Sequence, residues 1–151
     1  MRAKLLPTIA IAALTLSLTS CGTFERKWNA AVAEYHAGEA RGPEGPWAGT
    51  WHTTTNDHTG NLRAVVSPSS KKPGEYDFHY HATWARFFSG GYRVTYPVRR
   101  QGSRYLVDGS EKLGLFGTFH HKGSITRDRF EATYSSDRED IGTFSMRRPE
   151  R

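Results

Sequence analysis

From Trp47 onward large apolar residues alternate with polar ones at period two, and turn residues break the pattern about every ten to fifteen positions. Trp47, Gly49 and Trp51 open a first strand, and Leu62, Ala64 and Val66 mark a second. Tyr76, Phe78, Tyr80, Ala82 and Trp84 form the clearest stripe, followed after Ser89-Gly90-Gly91 by Tyr92, Val94, Tyr96 and Val98. Tyr105 and Val107, Gly117 and Phe119, Phe130 to Tyr134, and Gly142 to Met146 complete the series. That predicts eight short strands with hairpin-length connections and no intervening helix to make a parallel crossover. The expected fold is all-β, an eight-stranded antiparallel meander. Such a sheet removes its exposed edges by closing into a small up-and-down barrel. A strongly curved open sheet, or a sandwich capped by a helix, is the alternative.

Phe24 to Ala37 is the helical exception. Phe24, Trp28, Ala31, Val32 and Tyr35 share one face of a 3.6-residue period, with Thr23 placed to cap its start and Gly38 its end. Two roles stay open for this short amphipathic helix: its aromatic face packs on the main domain, or Phe24 and Trp28 sit at a membrane interface. Gly38 to Pro46, with three Gly and two Pro, reads as a linker. The expected organisation is a leader at 1–20, a segment at 21–46 holding the helix and linker, and the β domain at 47–149.

Arg2 and Lys4 precede an uncharged run from Leu5 to Thr19, the layout of an export signal and too short for a comfortable membrane span. The run ends Leu18-Thr19-Ser20-Cys21, which resembles the bacterial lipobox. The resemblance implies diacylglycerol on the Cys21 sulfur, cleavage before Cys21 and acylation of the new amine. Cys21 is the chain's one cysteine, so an intrachain disulfide, a Cys-based zinc finger and an iron–sulfur cluster are excluded. Two or three acyl chains anchor far more firmly than one. By the sorting rule of this class, Gly22 points to the outer membrane, with the domain in the periplasm or at the cell surface. Cleavage removes two of the 21 basic side chains, so the net charge of +6 falls to +4.

Gly49-Thr50-Trp51 beside a predicted meander resembles the first strand of calycin-type barrels such as lipocalins and avidins. That resemblance implies architecture only, because the second lipocalin-type turn motif is not evident; the whole is similar to small bacterial lipoproteins with a β-rich domain. Two echoes fit a curved barrel. Gly-Thr-aromatic recurs at 49–51, 117–119 and 142–144, and Ala-Thr-aromatic at 82–84 and 132–134. Small residues two positions from large ones let rings lie over bare backbone.

Twelve aromatics share the inward phase: Trp51, Tyr76, Phe78, Tyr80, Trp84, Tyr92, Tyr96, Tyr105, Phe119, Phe130, Tyr134 and Phe144. Either they fill the barrel, or they line a pocket for one small apolar or aromatic molecule, the tyrosines supplying polar contacts. The candidate lining residues are Trp51, Tyr80, Trp84, Tyr96, Tyr105 and Tyr134. The alternative is an interaction module. Phe87 and Phe88 cannot both point inward from the tip at 85–91, and with Arg93 and Arg99 they are candidate contacts for a protein partner or an anionic envelope surface.

Chemistry finds little support. His79 and His81 share a face with Asp77, but a straight strand fans ligands apart, so these histidines are expected outward and solvated, with no metal site. His120 and His121 fall on opposite faces. The cluster at 135–140 reads as a solvated hairpin and not a calcium loop. No Gly-x-Ser-x-Gly elbow and no His-Glu-x-x-His is present. The expectation is a non-enzymatic protein with no cofactor and no nucleic-acid partner.

Overall fold

A computed structural model describes residues 8–84 and 88–150, and the side chains of 22–83, 89–115 and 117–150. The elements are α1 (Thr8–His36), β1 (Gly45–Thr53), β2 (Thr59–Pro68), β3 (Glu75–Trp84), β4 (Phe88–Gln101), β5 (Arg104–Lys112), a single 3-10 turn (Gly114–Phe116), β6 (Thr118–Ile125), β7 (Arg129–Ser136) and β8 (Ile141–Arg147). The eight strands form a closed barrel in sequence order, each antiparallel to the next. β1 closes the ring against β8, with Trp51 opposite Phe144 and Ala48 opposite Arg147.

All eight expected strands are present, and β1 begins at Gly45, two residues ahead of Trp47. The helix differs. It starts at Thr8, so Thr23 lies inside it and is not its cap. The Ala- and Leu-rich run before Cys21 favours helix, and Gly22 alone does not break it. The hairpins follow turn chemistry. Gly102, with φ +62°, supplies the left-handed backbone that a two-residue connection between β4 and β5 requires. The ladder between those strands pairs Val98–Gln101 with Arg104–Val107 and stops at Pro97, which has no N–H to donate.

The inward stripe is the core. Phe78, Tyr80, Tyr96, Phe130, Tyr134 and Phe144 are buried, and Trp51, Tyr76, Tyr92, Tyr105 and Phe119 are partly buried against them. Glycines make room for the rings: a Cβ on Gly109 would collide with the Tyr96 ring, and one on Gly142 with Tyr134. One end of the barrel is sealed by Trp47, fully buried with its edge against Phe130. Its Nε1 donates to Pro43 O at 3.0 Å, and the Arg148 guanidinium lies over its face. The tryptophan that seals the barrel is therefore Trp47. Trp51 sits at the other end.

The helix packs on the outer wall. Phe24 is 2% exposed and wedged between His79 and His81, with ring centroids 5.0 and 4.9 Å away. Arg63 on β2 lies over both Phe24 and Trp28 and pairs with Glu25. Of the two roles left open for the aromatic face, packing on the domain is the one Phe24 fulfils. It also corrects the histidines. His79 and His81 do point outward, but the helix covers them: His81 is buried and His79 half-buried.

Candidate ligand-binding pocket

The barrel is packed at one end and hollow at the other. A cavity of about 280 Å³ opens at the end where β1, β3, β5 and β7 finish. Trp51 and Phe144 form one wall, and Leu62 and Ala82 the next. Gly90, Gly91 and Tyr92 come from β4, then Leu113, Phe119 and Tyr134, with Asp140 at the rim. The hollow has a local cause. At this level β3 and β4 present Ala82, Gly90 and Gly91, whereas the sealed end presents Trp47, Phe78 and Phe130. The cavity also borders the stretch above Pro97, where β4 and β5 are no longer paired.

Trp51 is held in place as a wall by its Nε1, which donates to Thr83 O at 3.1 Å. At the rim, Thr53 Oγ1 donates to the Asp140 carboxylate and lies 3.1 Å from Ile141 O. The phenols beneath stay protonated. Burial pushes Tyr80 and Tyr92 well above the ordinary phenol range, and each is pushed further by neighbouring tyrosines. Burial also raises Tyr134; Asp140 adds to the shift and the Thr53 hydroxyl opposes it. Tyr80 and Tyr92 stack at 4.9 Å. The cavity is thus a neutral aromatic cup with hydroxyl groups near its floor and one carboxylate at its lip.

His121 lies under that cup. It is 2% exposed, with Tyr80, Tyr96, Phe119, Tyr134 and Phe144 around its ring. Its Nδ1 is hydrogen-bonded to the Tyr96 hydroxyl, and its Nε2 has no partner. Burial, with a smaller push from His120, lowers its pKa to about 4, so the imidazole is neutral. His120 and His121 do fall on opposite faces, and His121 shares the inward phase of Phe119 and Ile125. Its neighbour His120 faces outward and meets Ser110 Oγ at 2.6 Å on the exposed outer wall.

Of the candidate lining residues, Trp51 and Tyr134 border the cavity. Tyr80 and Tyr96 lie deeper, in the packed layer with Phe78. Tyr105 is at the sealed end, beside Tyr35 and Arg148 in a separate cleft. The Trp84 side chain lies outside the described residues, as do those of Phe87, Phe88 and Cys21. Leu113 and Asp140 were not legible as lining, since both sit in connections. Arg93 and Arg99 are exposed on the outer wall, six residues apart along β4, so Arg99 lies about 20 Å from Arg93 toward the sealed end. They do not form one patch.

Among the described residues, no three His, Cys, Asp or Glu side chains gather as a metal-binding group. Also among these residues, no helix is long and apolar enough to cross a membrane. Asp77 instead accepts from Thr95 Oγ1 at 2.7 Å. Comparison with protein-family models, with curated proteins and with solved structures gives no match for this chain.

Proposed function

We propose that the chain is a lipid-anchored envelope protein, tethered through acylated Cys21, whose barrel binds one small apolar or aromatic molecule without chemistry. The observation that carries this reading is the open, aromatic-walled cavity of about 280 Å³ at one end of an otherwise filled barrel. That volume lies near the lower end of the range for small-molecule sites, roughly 300–1,000 Å³, and suits a guest of one or two rings. The walls are apolar and the enclosed phenols neutral, so selectivity favours an uncharged guest. The lipobox at 18–21 supports the anchor and an outer-membrane location; the lone cysteine then has a use.

The test uses N-phenyl-1-naphthylamine, whose fluorescence rises in apolar surroundings. Saturable enhancement by the wild type, and at least tenfold weaker binding by Ala82→Phe with unchanged melting, is the expected result. Equal binding by the two proteins overturns the assignment of the cavity.

A further inference from the structure

The direction of α1 fixes which end of the barrel meets the tether. Phe24 lies against His79 and His81 on β3. One turn on, Trp28 meets Arg63. Lys27 to Glu34 then border a groove with Val65 to Pro68 of β2. At the helix's end Tyr35 meets Arg148, which covers Trp47 at the sealed end. The helix therefore descends from the open half of the barrel to the sealed end, and its N-terminal side points toward the mouth. Cys21 is three residues above Phe24, about 4.5 Å higher along a helix. The rim of β3 at Trp84 is three residues above His81, about 10 Å along a strand. Phe24 is level with the midpoint of His79 and His81, so Cys21 stands within about 10 Å of the level of the mouth.

A second observation is independent of the helix. Among the described residues, the two large apolar side chains left in solvent are Leu115, 87% exposed, and Ile141, 52% exposed. Leu115 is in the turn between β5 and β6, and Ile141 opens β8. Both therefore stand at the mouth, around an apolar cavity. Among the described residues, the charges there are unlike those of a surface made for anionic lipid: Asp57, Asp137, Glu139 and Asp140 outnumber Lys112 and Arg138. That balance favours a zwitterionic headgroup layer.

We propose that the barrel mouth faces the bilayer that holds Cys21, with Leu115 and Ile141 in contact with its zwitterionic headgroup region and the aromatic cavity opening against it. The orientation rests on the proposed acylation of Cys21. An apolar guest then passes between membrane and cavity with little exposure to water, which lowers the cost of transfer.

The test places a single thiol on the full-length lipidated chain, by Leu115→Cys at the mouth or Ser103→Cys at the sealed end. An acylated Cys21 leaves no competing sulfhydryl. Each thiol carries a bimane fluorophore, and the protein is reconstituted in phosphatidylcholine–phosphatidylethanolamine vesicles with and without brominated lipid. Quenching at position 115 at least threefold stronger than at 103, unaltered by 0.5 M salt, is the expected result. Acylated protein with equal quenching at the two sites, or stronger quenching at 103, overturns the orientation alone. An intact mass without acyl chains overturns the anchor and the orientation with it.

Discussion

Arg148 lies over the face of Trp47, its guanidinium carbon 3.7 Å from the ring centroid. From there its Nη atoms donate to Glu44 O, Pro46 O and Gly42 O at 2.6, 3.3 and 3.1 Å. One side chain just past the last strand thereby ties down the segment entering the first, and caps the indole that seals the barrel. Arg148→Met keeps the stacking surface but leaves these carbonyls without their charged donor. It is expected to cost about 2–3 kcal/mol, combining a lost desolvated cation–π contact with unpaired acceptors. Urea unfolding measures the loss. Arg148→Lys is expected to recover less than half of it, because an ammonium cannot reach three carbonyls while lying on the ring. Full recovery by lysine would show that charge alone matters at this position.

The docking of α1 is expected to depend on pH. Burial is the main cause that lowers His79 to about 4, with Arg93, Lys27 and His81 adding to it. Burial also lowers His81, helped by Arg63 and opposed by Glu25. When the helix lifts off, the burial that chiefly depresses them is relieved and both imidazoles rise toward the ordinary value near 6.5. The undocked state therefore binds more protons between those limits, and protonation favours it. Docking is expected to be fully present above pH 6.5 and to weaken progressively as pH falls toward 4. Hydrogen exchange of the 24–36 segment, corrected for intrinsic rates, is expected to show protection falling from pH 7.5 to pH 5. A His79→Gln/His81→Gln chain should lose that slope. A slope that survives the double substitution would place the pH sensor elsewhere.

Much of this barrel is written locally and some of it is not. The period-two stripes from Trp47 to Met146 specify eight strands, and the turn residues between them specify hairpins. Those features depend on neighbours two to four residues away. The inward aromatics follow from the same phase, and His121 was legible by it too, being in step with Phe119 and Ile125. What hid His121 was residue type, because a histidine is more often found in water than in a core. Trp47 and Trp51 share one phase, and nothing local says which seals the barrel and which walls a cavity. That is decided by Arg148, a hundred residues away. The hollow at the mouth exists because Ala82, Gly90 and Gly91 lie side by side across β3 and β4, a fact of register and not of spacing. The landing site of Phe24 on His79 and His81 is non-local in the same sense.

The helix is held by a ring and not by its ion pair. Phe24 is almost fully buried, whereas the Glu25–Arg63 pair is only half-buried at the edge of the contact. Truncating a buried phenylalanine costs about 3–5 kcal/mol, and an ion pair that solvent reaches contributes about 0.2–1 kcal/mol. Phe24→Ala is therefore expected to free α1 while leaving the closed barrel folded, and Glu25→Gln to change little. Tryptic cleavage after Lys27, which helical docking protects, reads the difference. It should accelerate at least tenfold in Phe24→Ala and less than threefold in Glu25→Gln, with the midpoint of barrel melting nearly constant in both.

The Tyr96–His121 pair places polar atoms in an aromatic interior, and its two members should not contribute independently. The hydroxyl of Tyr96 is hydrogen-bonded to Nδ1 of the neutral imidazole, and Nε2 is left without a partner. His121→Phe removes the unpartnered Nε2 but strands the Tyr96 hydroxyl in its place. Tyr96→Phe leaves the imidazole with both nitrogens unsatisfied. Each single change is expected to cost about 1–3 kcal/mol, the penalty of one buried group without a partner. The double change, Tyr96→Phe with His121→Phe, removes both polar groups and should cost less than the sum by at least about 1 kcal/mol in a double-mutant cycle. Because burial depresses His121, wild-type stability should also fall as pH drops from 6.5 toward 4, and the double variant should lack this contribution. Strict additivity of the two single changes would mean that the hydrogen bond contributes nothing to the folded barrel.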